Sequence, residues 1–219
     1  RLVRFPPFLD ARPYADAATV RPAARRAIAD ALGLPAEAPW LLAVGMMRDG
    51  DKAASYRALA EALARLPPAP DWRLLVVGDG PAGAETRAML DRATGGRARY
   101  AGVLDDAGLA RYYAAADLMA WPAVGEAFGM AMLEAQASGL PVVAGRVGGV
   151  PAVVSDGASG LLVAPGDAEA FAAALEALLA DADRRRLYGA AAARRVREEQ
   201  SLPAAARRLE TVLETIGVR

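Results

Sequence analysis

Short apolar runs of strand length alternate with helical patterns along almost all of this 219-residue chain, and that alternation narrows the fold more than any other feature. Runs at 2–5, 40–44, 72–77, 99–101, 118–121, 141–144 and 161–163 are read as strands. Leu74-Leu-Val-Val77 is apolar without alternation, which suits a strand covered on both faces, as in a parallel sheet. Between the runs, helices are predicted over 22–32, 55–66, 83–94, 106–116 and 129–138, with a short one at 150–154. Gly33 and Gly139 stand where helices should stop, and Ser55 and Asp105 where they should start, each supplying the chemistry that a helix end needs. The pattern predicts one doubly wound, Rossmann-like α/β domain with a parallel sheet. From residue 167 onward only helices are expected, over 167–180, 183–199 and 203–216. The last aligns Leu202, Leu209, Leu213 and Ile216 in one stripe, a face either for this core or for a partner.

Ligands of doubly wound sheets sit outside the carboxyl ends of the strands, so the loops after strands are where chemistry is sought. The loop after 118–121 is the most informative. Pro122 stops the strand, Glu126 follows, and a helix opens near Gly129 with Glu134 a turn and a half inside it. Gly129 permits close backbone approach, and the amides from Phe128 to Met130 at the helix start make an anion site suited to a diphosphate. Glu126 is placed to accept hydrogen bonds from sugar hydroxyls, and Glu134 to hold a ribose diol with its two oxygens. Taken singly, each residue also reads as a solvated charge or a helix starter. Together they are harder to explain by packing, because Glu134 lies in the apolar run Met130-Ala-Met-Leu-Glu-Ala135, where a buried carboxylate needs a partner.

Composition limits the remaining options. Basic and acidic residues balance at 26 each, giving no reason to expect nucleic acid or an anionic membrane as partner. The chain has no cysteine and no histidine, which excludes disulfides and thiolate sites and removes the commonest general base and metal ligand; no metal or cofactor is expected. No uncharged stretch approaches the ~18 residues of a membrane span, and Arg1-Leu-Val-Arg-Phe-Pro6 has no signal-peptide pattern. A cytoplasmic protein is the expectation.

Other post-strand loops are ambiguous. Gly45-Met-Met-Arg-Asp-Gly-Asp-Lys52 offers Arg48 and Lys52 to a diphosphate, or is a solvated charged loop. Gly78-Asp-Gly-Pro81 is a tight turn. Gly145-Arg-Val-Gly-Gly-Val-Pro151 has paired glycines that either admit a sugar or phosphate or make a turn. Gly102-Val-Leu104 presents backbone and apolar surface to a flat base, or merely leads into the Asp105 cap.

The order of these elements resembles the carboxyl-terminal half of the GT-B glycosyltransferases of family 4, the retaining group 1 enzymes. The resemblance is carried by Val76-Val-Gly-Asp-Gly-Pro81, Tyr100-Ala-Gly-Val103, Tyr113-Ala-Ala-Ala-Asp117, Glu126-Ala-Phe-Gly129 to Leu133-Glu-Ala135, Gly139-Leu-Pro-Val-Val-Ala144, Val147-Gly-Gly-Val-Pro151 and Asp156-Gly-Ala-Ser-Gly-Leu-Leu-Val163. It implies a nucleotide-sugar donor domain over 1–219, with Glu126 on the transferred sugar, Glu134 on the ribose, and the Phe128, Gly129 and Met130 amides on phosphate and sugar. It also implies phosphate contacts near Gly45 and Lys52, and base contacts at Gly102 and Val103. Two departures stand out. Met46 occupies the place of an arginine that usually follows the glycine matching Gly45, so Arg48 would supply that charge from a shifted position; Ala152 stands where a glutamate commonly follows the proline. The acceptor-binding amino-terminal half is expected to be missing from this chain, which alone would bind donor but transfer little sugar; any peripheral membrane contact would come through that half. The competing readings are an epimerase or a pyridoxal phosphate phosphorylase of like architecture, and an interaction or regulatory module without transferase activity.

Overall fold

The computed structural model of the chain describes residues 5–215. Six parallel strands form one sheet in the order β3-β2-β1-β4-β5-β6: β1 Trp40–Val44, β2 Arg73–Val77, β3 Ala98–Gly102, β4 Leu118–Trp121, β5 Val142–Gly145 and β6 Gly160–Val163. The strands are nearly all apolar because helices cover both faces, and Trp40, Trp72, Trp121, Leu41, Leu42, Leu74 and Leu75 are wholly or almost wholly out of water. Burying such a side chain contributes about 1.5–3 kcal/mol. The buried indoles keep their polar atom satisfied: Nε1 of Trp40 donates to the Pro35 carbonyl at 3.1 Å and that of Trp72 to Pro67 at 3.2 Å. Since β1 pairs with β2 on one side and β4 on the other, the winding direction reverses between β1 and β4, and a crevice opens at their carboxyl ends.

The helices are α1 Arg12–Thr19, α2 Arg21–Leu32, α3 Asp51–Leu63, α4 Gly83–Thr94, α5 Asp106–Ala115, α6 Met130–Ala137, α7 Val150–Val153, α8 Ala168–Ala180, α9 Ala182–Arg195 and α10 Leu202–Thr215, with a π-helical turn at Val196–Gln200 joining the last two. The Asp105 carboxylate caps α5 by accepting from the Gly108 amide at 2.7 Å, and Gly33 and Gly139 close α2 and α6 at φ +62° and +76°, as the sequence predicts. After β6 the described residues hold helices only, also as predicted.

Several boundaries differ. Helix α3 starts a turn before the predicted position, after Gly50, so Ser55 is not its cap; the Ser55 hydroxyl is buried and donates back to the Asp51 carbonyl at 2.9 Å. Helix α1 has no counterpart in the sequence reading: it is eight residues long with Pro13 in its first turn and no fully buried side chain, and so short a helix is held by tertiary contact rather than by its intrinsic stability. The strand expected at 2–5 lies outside the described residues except for Phe5, which is in no strand. Of the terminal stripe, Leu202 and Leu209 are exposed, Leu213 is half-buried, and Ile216 lies outside the described residues.

The amino ends of the strands are tied together by charge. Asp117 accepts from Arg21 at 2.6 Å, Arg25 at 3.0 Å and the Trp40 amide at 2.8 Å. The Arg25 guanidinium also lies 4.0 Å from the Trp40 ring centroid and donates to the carbonyls of Ala36, Ala38 and Ala115. No helix among the described residues is long and apolar enough to cross a membrane.

Candidate functional site

The loop after β1 enters the crevice under tight backbone control. The Gly45 amide donates to the Val77 carbonyl, the Met47 amide to Asp79, and the Tyr56 hydroxyl to the Gly45 carbonyl at 2.7 Å. An added Cβ at Gly78 would sit 2.0 Å from the Gly45 oxygen, and one at Gly80 2.4 Å from the Met47 oxygen. The Gly78-Asp-Gly-Pro turn therefore exists to pack against the Gly45 loop. Met47 is fully buried and anchors the loop, whereas Met46 and Arg48 are exposed. Arg48 forms no ion pair among the described residues and lies outside the cleft described next.

Across the crevice, the loop after β4 carries Glu126. The early start of α3 brings Lys52 to it: Lys52 Nζ is 2.8 Å from Glu126 Oε2, with both side chains about one-fifth exposed, and 5.3 Å from the Trp121 ring centroid. Trp121 is steadied by an edge contact with Tyr56 at 5.1 Å. Cation and carboxylate thus meet across the two loops at the reversal point of the sheet. The loop itself is strained at Ala123, a buried non-glycine residue at φ +60°. Its outer wall is the segment after β5. The Gly149 amide donates to the Ala127 carbonyl at 2.6 Å, and added Cβ atoms at Gly148 and Gly149 would fall 2.3 Å from the Glu126 oxygen and 2.4 Å from the Phe128 ring. Of the two readings left open for these glycines, what the structure brings against them is the Glu126 loop.

Beyond Glu126 the chain turns into α6 through Gly129 at φ +80°. The amides of Phe128, Gly129, Met130 and Ala131 donate to no acceptor among the described residues, while the Gly129 carbonyl accepts from Met132 and Leu133. Four orphan donors at the positive end of a helix, next to a lysine, form an anion-binding mouth. A cleft of about 290 Å³ opens on them, lined by Val44, Lys52, Trp121, Glu126, Phe128 and Met130 among others. Larger hollows of about 450 and 900 Å³, beside Arg21 and Asp117 and between α1 and α10, contain none of the candidate ligand-binding residues.

Glu134 lies four residues after Met130 and so on the same face of α6. It already has a protein partner: the buried Tyr113 hydroxyl of α5 donates to Oε2 at 2.9 Å, and Oε1 makes no hydrogen bond within the described residues. Burial raises the Glu134 carboxyl above its ordinary value, the Tyr113 hydrogen bond opposes this, and the Asp106 charge adds to it. Burial also lifts the Tyr113 phenol well above the usual range, helped by Glu134. The nearby Tyr14 of α1 is pushed up to about 12, by burial first and then by Glu134 and Asp106.

Gly102, at φ +69°, and Val103, 78% exposed, are at the carboxyl end of β3. They share the crevice side of the sheet but stand two strands from β1 and outside the cleft. The structure thus gathers Lys52, Glu126, Phe128, Gly129 and Met130, places Gly45 against Trp121 beneath them, sets Glu134 one turn along α6 and outside the cleft's lining, and leaves Arg48, Gly102 and Val103 farther out. Sequence reasoning gave no site role to Trp121, Tyr56 or Tyr113, the last quoted only within a motif; an aromatic residue ending the strand before the Glu126 loop was the available signal for the first. Among the described residues, no group of three or more potential ligand side chains could hold a metal ion.

Residues 38–181 match the family described as glycosyl transferases group 1. The chain is 40% identical over 176 residues to D-inositol 3-phosphate glycosyltransferase 2 of Catenulispora acidiphila, an alignment covering 76% of this chain and 41% of that protein. Among solved structures it resembles sucrose-phosphate synthase from Thermosynechococcus elongatus, at TM-score 0.79 and 32% identity, over 96% of this chain and 51% of that one. It also shares its fold with Anabaena Alr3699/HepE, solved in complex with UDP and glucose, at TM-score 0.77 and 23% identity over 94% of this chain and 54% of that one. The chain therefore spans about two-fifths to one-half the length of these relatives.

Proposed function

The chain belongs to the glycosyl transferases of group 1, and from that membership we propose that it is the donor-binding half of a retaining, family 4 enzyme, gripping a nucleoside diphosphate sugar at the β1/β4 crevice. The observation that carries the proposal is the Lys52–Glu126 pair, 2.8 Å apart, facing four unpaired amides. Those amides and Lys52 receive the diphosphate. Glu126 accepts from hydroxyls of the transferred sugar, Glu134 Oε1 from the ribose diol, and the surface at Gly102 and Val103 meets the base. Gly45 lets the β1 loop lie close to the phosphates, and Arg48 swings in as the second cation where Met46 cannot serve. The signs are consistent: cations and helix amides oppose phosphate, and acids oppose hydroxyls.

In the complete enzyme the acceptor is delivered by an amino-terminal half. The sugar carbon breaks its bond to the diphosphate oxygen and forms one to the acceptor oxygen on the same face. The acceptor proton passes to a donor phosphate oxygen, and the nucleoside diphosphate leaves. No protein histidine is needed for that step, and no metal or other cofactor is invoked. Any helix start leaves four amides unpaired; what favours a donor site over an interaction module is that these open on a cleft shared with Lys52 and Glu126 at the reversal point of the sheet.

Thermal unfolding with a panel of uridine, guanosine and adenosine diphosphate sugars tests the proposal. A cognate donor at a hundred times its dissociation constant stabilises the fold by about 2.7 kcal/mol. No shift with any member would sink the donor site and favour the interaction module.

A further inference from the structure

We propose that Tyr113 is a positioning residue for nucleoside recognition: its hydroxyl holds Glu134 Oε2 and fixes the carboxylate so that Oε1, which has no protein donor among the described residues, is presented to the vicinal hydroxyls of the ribose. This rests on the donor-site reading above and narrows it, since the 2.9 Å bond already takes one acceptor site of Oε2 and fixes the plane of the carboxylate.

The geometry favours a tuned contact over simple packing. Tyr113 is fully buried on α5, and its ring is fixed edge-on against Tyr14 at 6.1 Å and 62°. Phenylalanine would fill the same volume. A buried hydroxyl needs a partner, and its acceptor is the one acid of α6. The charged and titratable groups facing Glu134 are Tyr113 and Asp106 from α5 and Tyr14 from α1. No cation pairs with it among the described residues, so Tyr113 is the sole protein hydrogen-bond donor to this carboxylate there. A carboxylate with one oxygen fixed loses its freedom to rotate about the last side-chain bond. The remaining oxygen has two lone pairs, enough to accept from both hydroxyls of a diol. Without the phenol, either oxygen could turn inward and the diol would meet a disordered acceptor.

The test uses residues 1–219 and calorimetric titration with the nucleoside diphosphate whose sugar conjugate gives the largest thermal shift, alongside its 2′-deoxy counterpart. The unaltered chain should prefer the ribonucleotide about tenfold or more, the usual scale for hydrogen bonds to a charged group. Tyr113→Phe should reduce that preference below about threefold while leaving the deoxynucleotide affinity nearly unchanged, a pattern that general loosening of the fold would not give. Glu134→Gln should lose the preference too, and the double variant should be no worse than Glu134→Gln alone, because the two residues act as one unit. If Glu134→Gln loses the preference but Tyr113→Phe keeps it, the positioning role is wrong and the ribose reading survives. If the unaltered chain or Glu134→Gln fails to behave as stated, the ribose reading falls and this inference with it. Should Tyr113→Phe not fold, the double variant, in which no carboxylate is left short of a donor, is compared with Glu134→Gln alone; equal ribonucleotide affinity supports the proposal and a further loss overturns it.

Discussion

Glu134 works against the stability of the fold that holds it. Its carboxyl is raised above the ordinary value of 4.5, first by burial. A carboxyl with a raised folded value favours the fold most below about pH 4.5, where both states are protonated, and that contribution is lost as pH rises through the folded value. Glu134→Gln, whose amide oxygen can still accept from Tyr113, should therefore unfold at a higher temperature than the parent at pH 7 to 8, with the gap closing as the pH falls below about 4.5. Nucleotide affinity has the opposite sign, because an ionised carboxylate is the better acceptor and is lost on acidification. A variant that gains stability while losing affinity marks a residue kept for function; one that loses both at neutral pH would contradict this account. Glu126 behaves differently, since its partner is a cation. Its charge competes with phosphate for Lys52, so Glu126→Gln should bind free nucleoside diphosphate several-fold more tightly, as near-surface charge pairs allow, and the sugar conjugate less tightly. Equal losses for both ligands would refute the division of labour. Both acids were legible in the sequence because carboxylates in apolar or glycine-bounded runs demand an explanation. Tyr113 was not, because a tyrosine within Tyr112-Tyr-Ala-Ala-Ala116 looks like packing until its hydroxyl is located.

At the level of elements, the site depends on three loops leaning on one another. The sequence showed where strands ended and which glycines followed them. It could not show that Gly78 and Gly80 serve the Gly45 loop, or that Gly148 and Gly149 serve the Glu126 loop, because those are contacts between segments far apart in the chain. Short α1 escaped for a related reason: eight residues are too few for a pattern to stand out, and its position comes from packing on α5 and α6. Gly149 offers a clean check, since its φ of −87° suits any residue and only space is at issue. Gly149→Ala would drive a methyl group against the Ala127 carbonyl at 2.5 Å and the Phe128 ring at 2.4 Å. It should cost about 1–3 kcal/mol in denaturant unfolding and weaken donor binding beyond that general loss. Gly33→Ala is the control, with nothing within 4 Å of the new atom but an unfavourable φ of +62°. It should cost about 1 kcal/mol and leave affinity unchanged. If both variants bind donor like the parent, the β5 segment is not a wall of the site.

For the whole molecule, alternating strands and helices predicted a doubly wound sheet, but not the strand order. The order is what puts β1 beside β4 and turns two separate loops into one crevice, and it arises from right-handed crossovers and pairing that no local pattern encodes. The opposite end of the sheet is locked by Asp117 with Arg21, Arg25 and the Trp40 amide. Firm anchoring there leaves the carboxyl ends free to carry a strained loop and unpaired amides. The same division limits what the chain can do alone. Every role proposed above is a donor contact, and the lining of the cleft of about 290 Å³ among the described residues holds no charged side chain besides Lys52 and Glu126. Positioning two reactants supplies about 7–11 kcal/mol of barrier reduction, so residues 1–219 should bind a cognate donor yet transfer its sugar about 10⁵-fold more slowly, or worse, than a version joined to an acceptor-binding half. Nucleoside diphosphate release, followed with donor and a set of polyol and lipid acceptors, measures both forms. Addition of the second half in trans should restore part of the rate in proportion to its concentration. Rapid turnover by the chain alone would show that the acceptor is held within these residues, and the division into halves would have to be abandoned.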